Sequence, residues 1–127
     1  MATNYHAAFM TGPGENLEVA VTKIQHPAPG EVLIKNHAIA LQPLDAKMLI
    51  AGYGPAALLK TPAVLGSSGA GVIEEVGDGV TGINIGDRVV FDTKAYVEVD
   101  ENCRTGTWQQ LVVCDARTVA KVCLATE

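Results

Sequence analysis

Pro62-Ala-Val-Leu-Gly-Ser-Ser-Gly-Ala-Gly-Val-Ile-Glu-Glu-Val-Gly-Asp-Gly-Val-Thr-Gly-Ile-Asn-Ile-Gly-Asp-Arg-Val89 decides the fold of this chain. Short apolar, β-branched runs alternate with Gly, Ser, Asp and Asn, the pattern of strands joined by tight turns. The run Gly66-x-x-Gly69-x-Gly71 has the glycine density of a phosphate-binding loop. Such a loop follows a strand and opens a helix. Here the glycines lead into Val72-Ile73, so a strand comes after them and their expected role is turn geometry. Gly52-Tyr-Gly54 fails for a related reason, because Pro55 follows and no strand precedes.

Working outward, thirteen glycines and six prolines punctuate the 127 residues. Candidate strands are His6–Met10, Leu17–Lys23, Glu31–Leu41, Gly71–Val76, Arg88–Phe91, Trp108–Val113 and Val119–Val122. Val32, Leu33, Ile34, Ile39 and Leu41 fall on both faces of the third, which predicts burial on both sides. One helix is predicted between Pro43, suited to a first helical position, and Gly52, suited to the position past the end. Asp45 lies in its first turn, where the helix dipole favours a carboxylate. A short turn over Pro55–Lys60 is expected next, and Asp92–Thr107, with Asp92, Glu98, Asp100 and Glu101, reads as a solvated loop or a hairpin of exposed strands. The expected fold class is mainly β: a partly open barrel or sandwich with one or two short helices, in a single domain over 1–127.

Composition excludes several functions. Apolar residues make up 48% and charged residues 18%, a globular balance. A net charge of -5 without clustered Lys and Arg disfavours nucleic acid as a partner. No apolar run approaches the ~20 residues that span a bilayer, so no membrane partner is expected. Three widely spaced cysteines, Cys103, Cys114 and Cys123, argue against a disulfide framework and fit a reducing, cytoplasmic location. Cys114 and Cys123 read as buried small apolar residues, and the acidic neighbours of Cys103 disfavour a reactive thiolate.

Four segments occur in a telling order: Pro29-Gly-Glu-Val-Leu-Ile-Lys35, Gln42-Pro-Leu-Asp-Ala-Lys47, Leu65-Gly through Gly86-Asp-Arg-Val-Val90, and Gly106-Thr-Trp-Gln-Gln-Leu-Val-Val113. Together, over about residues 6–122, they resemble the N-terminal GroES-like domain of the medium-chain dehydrogenase/reductase superfamily. The flavour is similar to zinc-independent fungal enoyl reductases that act in trans with polyketide synthases, and to quinone oxidoreductases. The resemblance implies a full-length oxidoreductase that uses NADPH, with a polyketide synthase as a possible partner. It also implies a nucleotide-binding domain after the segment matching Val119–Val122, and only five residues follow Val122. The expectation is therefore a truncated, substrate-side domain with no Rossmann domain and no cofactor bound by this chain alone. A stand-alone, cofactor-free domain is the alternative: it would isomerise or cyclise a hydrophobic, polyketide-like intermediate. A non-catalytic binding or dimerisation domain is a third reading, and a homodimer or a separate nucleotide-binding half remain candidate partners.

Two departures from the zinc-dependent pattern carry the expected absence of metal. The resemblance puts a Cys ligand where this chain has Gln42 and a Gly-His-Glu motif where it has Gly66-Ser67-Ser68. Zinc requires Cys, His or carboxylate ligands. Gln42, Ser67 and Ser68 are accordingly candidate substrate-binding residues. The resemblance places Lys47 toward the cofactor, so Lys47 is a candidate for both cofactor binding and catalysis. Asp45, either a helix-start carboxylate or a catalytic group, is a second candidate. His37, mid-strand, is a candidate general base, and Tyr53 a candidate proton donor or stacking surface. Ser67 and Ser68 lack a Gly-x-Ser-x-Gly elbow, which favours pocket lining over nucleophilic chemistry.

Overall fold

The computed structural model describes residues 4–123. Its strands are β1 (Tyr5–Met10), β2 (Glu18–Thr22), β3 (Glu31–Ile39), β4 (Ala63–Val64), β5 (Ser68–Val76), β6 (Arg88–Asp92), β7 (Leu111–Asp115) and β8 (Val119–Lys121). Its helices are α1 (Pro43–Ala51) and α2 (Asn102–Thr105), with short 3-10 turns at Gly54–Leu58, Val99–Glu101 and Ala116–Thr118. The strands form two antiparallel sheets, β2-β1-β4 and β7-β3-β5-β6-β8, joined at an isolated bridge between Ala7 and Gln109. The sheets do not close, so the mainly β, partly open GroES-like architecture stands. Among the described residues no helix is long and apolar enough to cross a membrane.

The five-stranded sheet buries Val32, Ile34, Ile73, Val89, Phe91, Val112 and Cys114 in one cluster. A second cluster, with Met10, Met48, Ala56, Leu59, Ala63 and Leu65, seats α1 and the 3-10 turn that follows against the smaller sheet. Burial in these clusters is the main drive for the fold. It pushes the Cys114 thiol up to about 11 and leaves it an inert core residue.

Three expectations need correction. Asp92–Thr107 is not a solvated loop: it turns through Val99–Glu101 into α2 and buries Ala95, Asn102, Thr105 and Thr107. Its acidic residues are exposed while Asn102 and Thr105 bond main-chain groups of Val64 and Glu101, a division that charge counting cannot see. Ile39 and Leu41 are 39% and 75% exposed, because β3 outruns the cover of the second layer at its C-terminal end. Cys123 is exposed, unlike Cys114, because it lies beyond the end of β8.

Gly71 shows why glycines crowd the start of β5. A Cβ there would lie 2.1 Å from the Lys35 carbonyl oxygen on β3. Gly66 instead has φ +91°, a backbone state that side chains disfavour, and faces Thr107 and Trp108.

Candidate functional site

The start of α1 is built from below. Gln42 is the N-cap in an extended conformation; its main-chain oxygen accepts the Asp45 N–H at 3.0 Å, and the Asp45 carboxylate reaches back to the Gln42 N–H as the N3 half of a capping box does. Asp45 is 2% exposed. Its Oδ2 accepts the Gln42 N–H at 3.0 Å, and its Oδ1 accepts the Tyr96 hydroxyl at 2.5 Å. The Tyr96 oxygen in turn accepts the Gly66 N–H at 2.5 Å. Burial and the bond to Asp45 hold the Tyr96 phenol above the ordinary tyrosine range, so it stays a donor. The geometry therefore gives Asp45 a supporting place beneath Gln42, with both carboxylate oxygens engaged.

Above this support runs a second chain of polar groups. Gln42 Nε2 donates to Ser68 Oγ at 3.1 Å, and Ser68 Oγ donates to Asp92 Oδ1 at 2.7 Å. The β5–β6 register makes this possible, since Ser68 and Asp92 are directly paired. Ser67, half-buried, contributes its main-chain oxygen, which accepts the Thr93 N–H at 2.6 Å.

Lys47 and Tyr53 form a separate exposed pair at the other end of α1. The Lys47 ammonium lies 5.7 Å from the centre of the Tyr53 ring, a cation–π contact of about 0.5–1 kcal/mol at an exposed site. Gly52, at φ +64°, turns the chain there and donates to the Met48 carbonyl at 3.0 Å. No hydrogen bond among the described residues joins this pair to Gln42. His37 stands apart again. It falls in the register shift between Asn36 and Ala38, so the bulge takes it out of the β3–β5 pairing. It lines an apolar cleft of about 590 Å³ together with Leu17, Val19, Ile39, Leu41 and Trp108. Leu41 joins the two regions, being on the cleft wall and directly before Gln42.

The donor set does not fit zinc. Gln42, Ser67 and Ser68 offer only neutral amide and hydroxyl groups, whereas zinc takes thiolate, imidazole or carboxylate. No group of three or more His, Cys, Asp or Glu converges among the described residues. Sequence reasoning missed Asp92 and Tyr96. No local signal marks Asp92, because Arg88-Val-Val-Phe-Asp92 does not alternate in sequence and its pairing with Ser68 is set by the β5–β6 register. For Tyr96 there was none, because its segment has no periodicity.

The fold and this arrangement define the class. Residues 28–123 match the alcohol dehydrogenase GroES-like domain. The chain belongs to that family, the N-terminal domain of medium-chain dehydrogenases/reductases. The dehydrogenase orsE of Emericella nidulans is 38% identical over 90 residues, which are 71% of this chain and 25% of that protein. An alcohol dehydrogenase superfamily protein from Novosphingobium aromaticivorans superposes with a TM-score of 0.79 at 33% identity, over 92% of this chain and 34% of its own. Escherichia coli quinone oxidoreductase complexed with NADPH does so with 0.68 at 25% identity, over 95% and 33%. The chain thus spans about a quarter to a third of the length of these relatives.

Proposed function

We propose that this domain forms the substrate-side wall of a zinc-independent, nicotinamide-dependent oxidoreductase of the enoyl reductase type. The Gln42–Ser68–Asp92 chain supports the reading, since it joins Gln42 and Ser68, the residues that the resemblance sets at the ligand positions of zinc-dependent members, in one hydrogen-bonded run. A conjugated C=C bond is already activated, so its reduction needs orientation and a proton more than a Lewis acid. NADPH, bound by a second domain or a separate polypeptide, would supply the hydride. Gln42, Ser67 and Ser68 would then orient a hydrophobic substrate, with Asp45 holding Gln42 in place. Lys47 and Tyr53 would meet the charge that develops on the substrate carbonyl and return the proton. His37 would stand on the apolar wall. A polyketide synthase that delivers the substrate, and a homodimer, fit the same reading.

NADPH titration of the purified chain, followed by nicotinamide fluorescence and thermal shift, tests it. The domain alone is expected to bind NADPH weakly or not at all and to recover reduction of an α,β-unsaturated thioester when a nucleotide-binding half is added. Turnover that survives Lys47→Ala together with Tyr53→Phe would remove both from the mechanism. The apolar cleft favours a second reading, a cofactor-free domain that isomerises or cyclises a hydrophobic intermediate. Conversion of such a compound by the chain without any nicotinamide would select that reading.

A further inference from the structure

The Gln42–Ser68–Asp92 chain has a direction, and the direction has consequences for what the site can hold. An ionised carboxylate only accepts hydrogen bonds. Ser68, 2.7 Å from Asp92 Oδ1, must therefore spend its single proton on Asp92. The Ser68 oxygen is left as an acceptor for Gln42, which fixes Nε2 rather than Oε1 toward Ser68 at 3.1 Å. The helix start leaves the amide free for this orientation, because the Asp45 N–H bonds the Gln42 main-chain oxygen at 3.0 Å and the Gln42 N–H bonds Asp45 Oδ2 at 3.0 Å. An amide oxygen has two lone pairs, and the helix cap engages neither of them on Gln42 Oε1. Hydrogen bonds in series polarise one another. A carboxylate at the far end therefore pushes electron density toward Gln42 and makes Oε1 a stronger acceptor.

We propose that Asp92, acting through Ser68, fixes the Gln42 amide with its carbonyl oxygen as an acceptor for the substrate, so that this site selects apolar molecules bearing a hydroxyl or N–H donor. The proposal rests on the reading of Gln42 as a substrate-orienting residue and narrows its substrate class. Asp92 is a positioning residue in this arrangement. Asp92→Asn reverses the polarity at little cost in fold, for three reasons. The side chain is exposed. The bond from Thr118 Oγ1 goes to the Asp92 main-chain oxygen and is kept. And an Asn amide can donate to Ser68, which frees the serine proton to point at Gln42.

Two measurements test this. The first is the side-chain amide resonance of Gln42 in the ligand-free protein. Its Nε2 protons are expected to be inequivalent and to shift in both Asp92→Asn and Ser68→Ala. A resonance unmoved by either substitution overturns the relay. The second compares 2-naphthol with 2-methoxynaphthalene, which differ in the donor alone. The wild-type chain is expected to bind the naphthol about fivefold more tightly, the size of one net hydrogen bond. Asp92→Asn is expected to bring the ratio to about one by weakening the naphthol only, whereas a merely structural role would weaken both. A ratio unmoved in Asp92→Asn overturns the proposal. If Gln42→Ala then still weakens both probes, the orienting role of Gln42 survives. If Gln42→Ala weakens neither, or if neither probe binds the wild-type chain, that role fails and the proposal with it.

Discussion

Asn102 offers a quantitative test of how the chain around the site is held. It is 3% exposed at the start of α2. Its Oδ1 accepts the Val64 N–H at 2.7 Å and its Nδ2 donates to the Val64 carbonyl at 2.6 Å, so the side chain acts as a surrogate neighbouring strand for β4. Val64 itself is fully buried. Asn102→Ala removes both partners and leaves a buried donor and a buried acceptor unpaired. Each such group costs about 1–3 kcal/mol, so the expected loss is about 2–6 kcal/mol, reduced where water can enter the vacated space. We expect about 3 kcal/mol, read from urea denaturation followed by the fluorescence of Trp108, the single tryptophan. The Val64 amide should exchange with solvent faster by the same factor. Asn102→Asp keeps the acceptor but sets a carboxylate against the Val64 oxygen. Its folded-state pKa should be raised, so the variant should regain stability as pH falls and the protonated carboxyl can donate. A loss below about 1 kcal/mol in Asn102→Ala, or a Val64 amide that exchanges at the wild-type rate, would refute the surrogate-strand account.

Four further outcomes are expected. Gly71→Ala should cost about 2–3 kcal/mol or prevent folding, because the new Cβ would meet the Lys35 carbonyl at 2.1 Å and both groups belong to paired strands. Gly79→Ala, with open space but φ +79°, should cost only the about 1–2 kcal/mol of the left-handed conformation, and chemical denaturation separates the two cases. Tyr96→Phe should destabilise by about 1–3 kcal/mol in the same assay, since it strips the buried partner from both Asp45 Oδ1 and the Gly66 N–H. Asp115 is held below the usual carboxylate range, first by the Arg117 guanidinium and then by the Arg117 N–H and Lys94. Its contribution is present above the unfolded value, about pH 4, and is lost as pH falls toward the lower folded value, so Asp115→Asn should flatten the acid limb of a Tm–pH profile by a small amount, as Arg117 is largely exposed.

Much of the fold was legible because it rests on local chemistry. Pro43 and Gly52 bracket α1 as a first-turn proline and a left-handed cap should. The β-branched runs appear as β3, β5 and β6 within a few residues of their expected bounds, β3 with three consecutive buried residues and β6 with period-two burial. What escaped depends on partners distant in sequence. β4 is two residues long and exists as a strand only because β1 and Asn102 flank it. Trp108 looked like strand, yet β7 begins at Leu111, because the chain first crosses to bridge β1 through Gln109. At the site, Gln42 and Ser68 were singled out, but nothing local marks Asp92 as their partner; that relation lies in the β5–β6 register. Lys47, Tyr53 and His37 were singled out as well, and the structure distributes them over two further places rather than gathering them around Gln42.

The segment misread as solvated is the one that orders the site. From its first residues, Asp92 ends the relay to Gln42 and the Thr93 N–H holds the Ser67 carbonyl. Tyr96 then reaches under α1 to Asp45 and across to Gly66, and Asn102 locks the run back onto β4, two residues before Gly66. Each contact fixes one flank of the Gly66-Ser67-Ser68 loop or the first turn of α1. A buried loop backbone must have its N–H and C=O groups satisfied by neighbours. The Tyr96 hydroxyl, the Thr93 N–H and, at Val64 just before the loop, the Asn102 amide do this here, all from one segment. The other acidic side chains of that segment, Glu98, Asp100 and Glu101, which made it look dispensable, pair with Lys94, Lys60 and Arg104 rather than with the groups the segment positions. Substitutions at Tyr96 or Asn102 should therefore loosen Gln42 and Ser68 without touching either, whereas charge changes at Asp100, on the same segment and paired with exposed Lys60, should leave the site as it is.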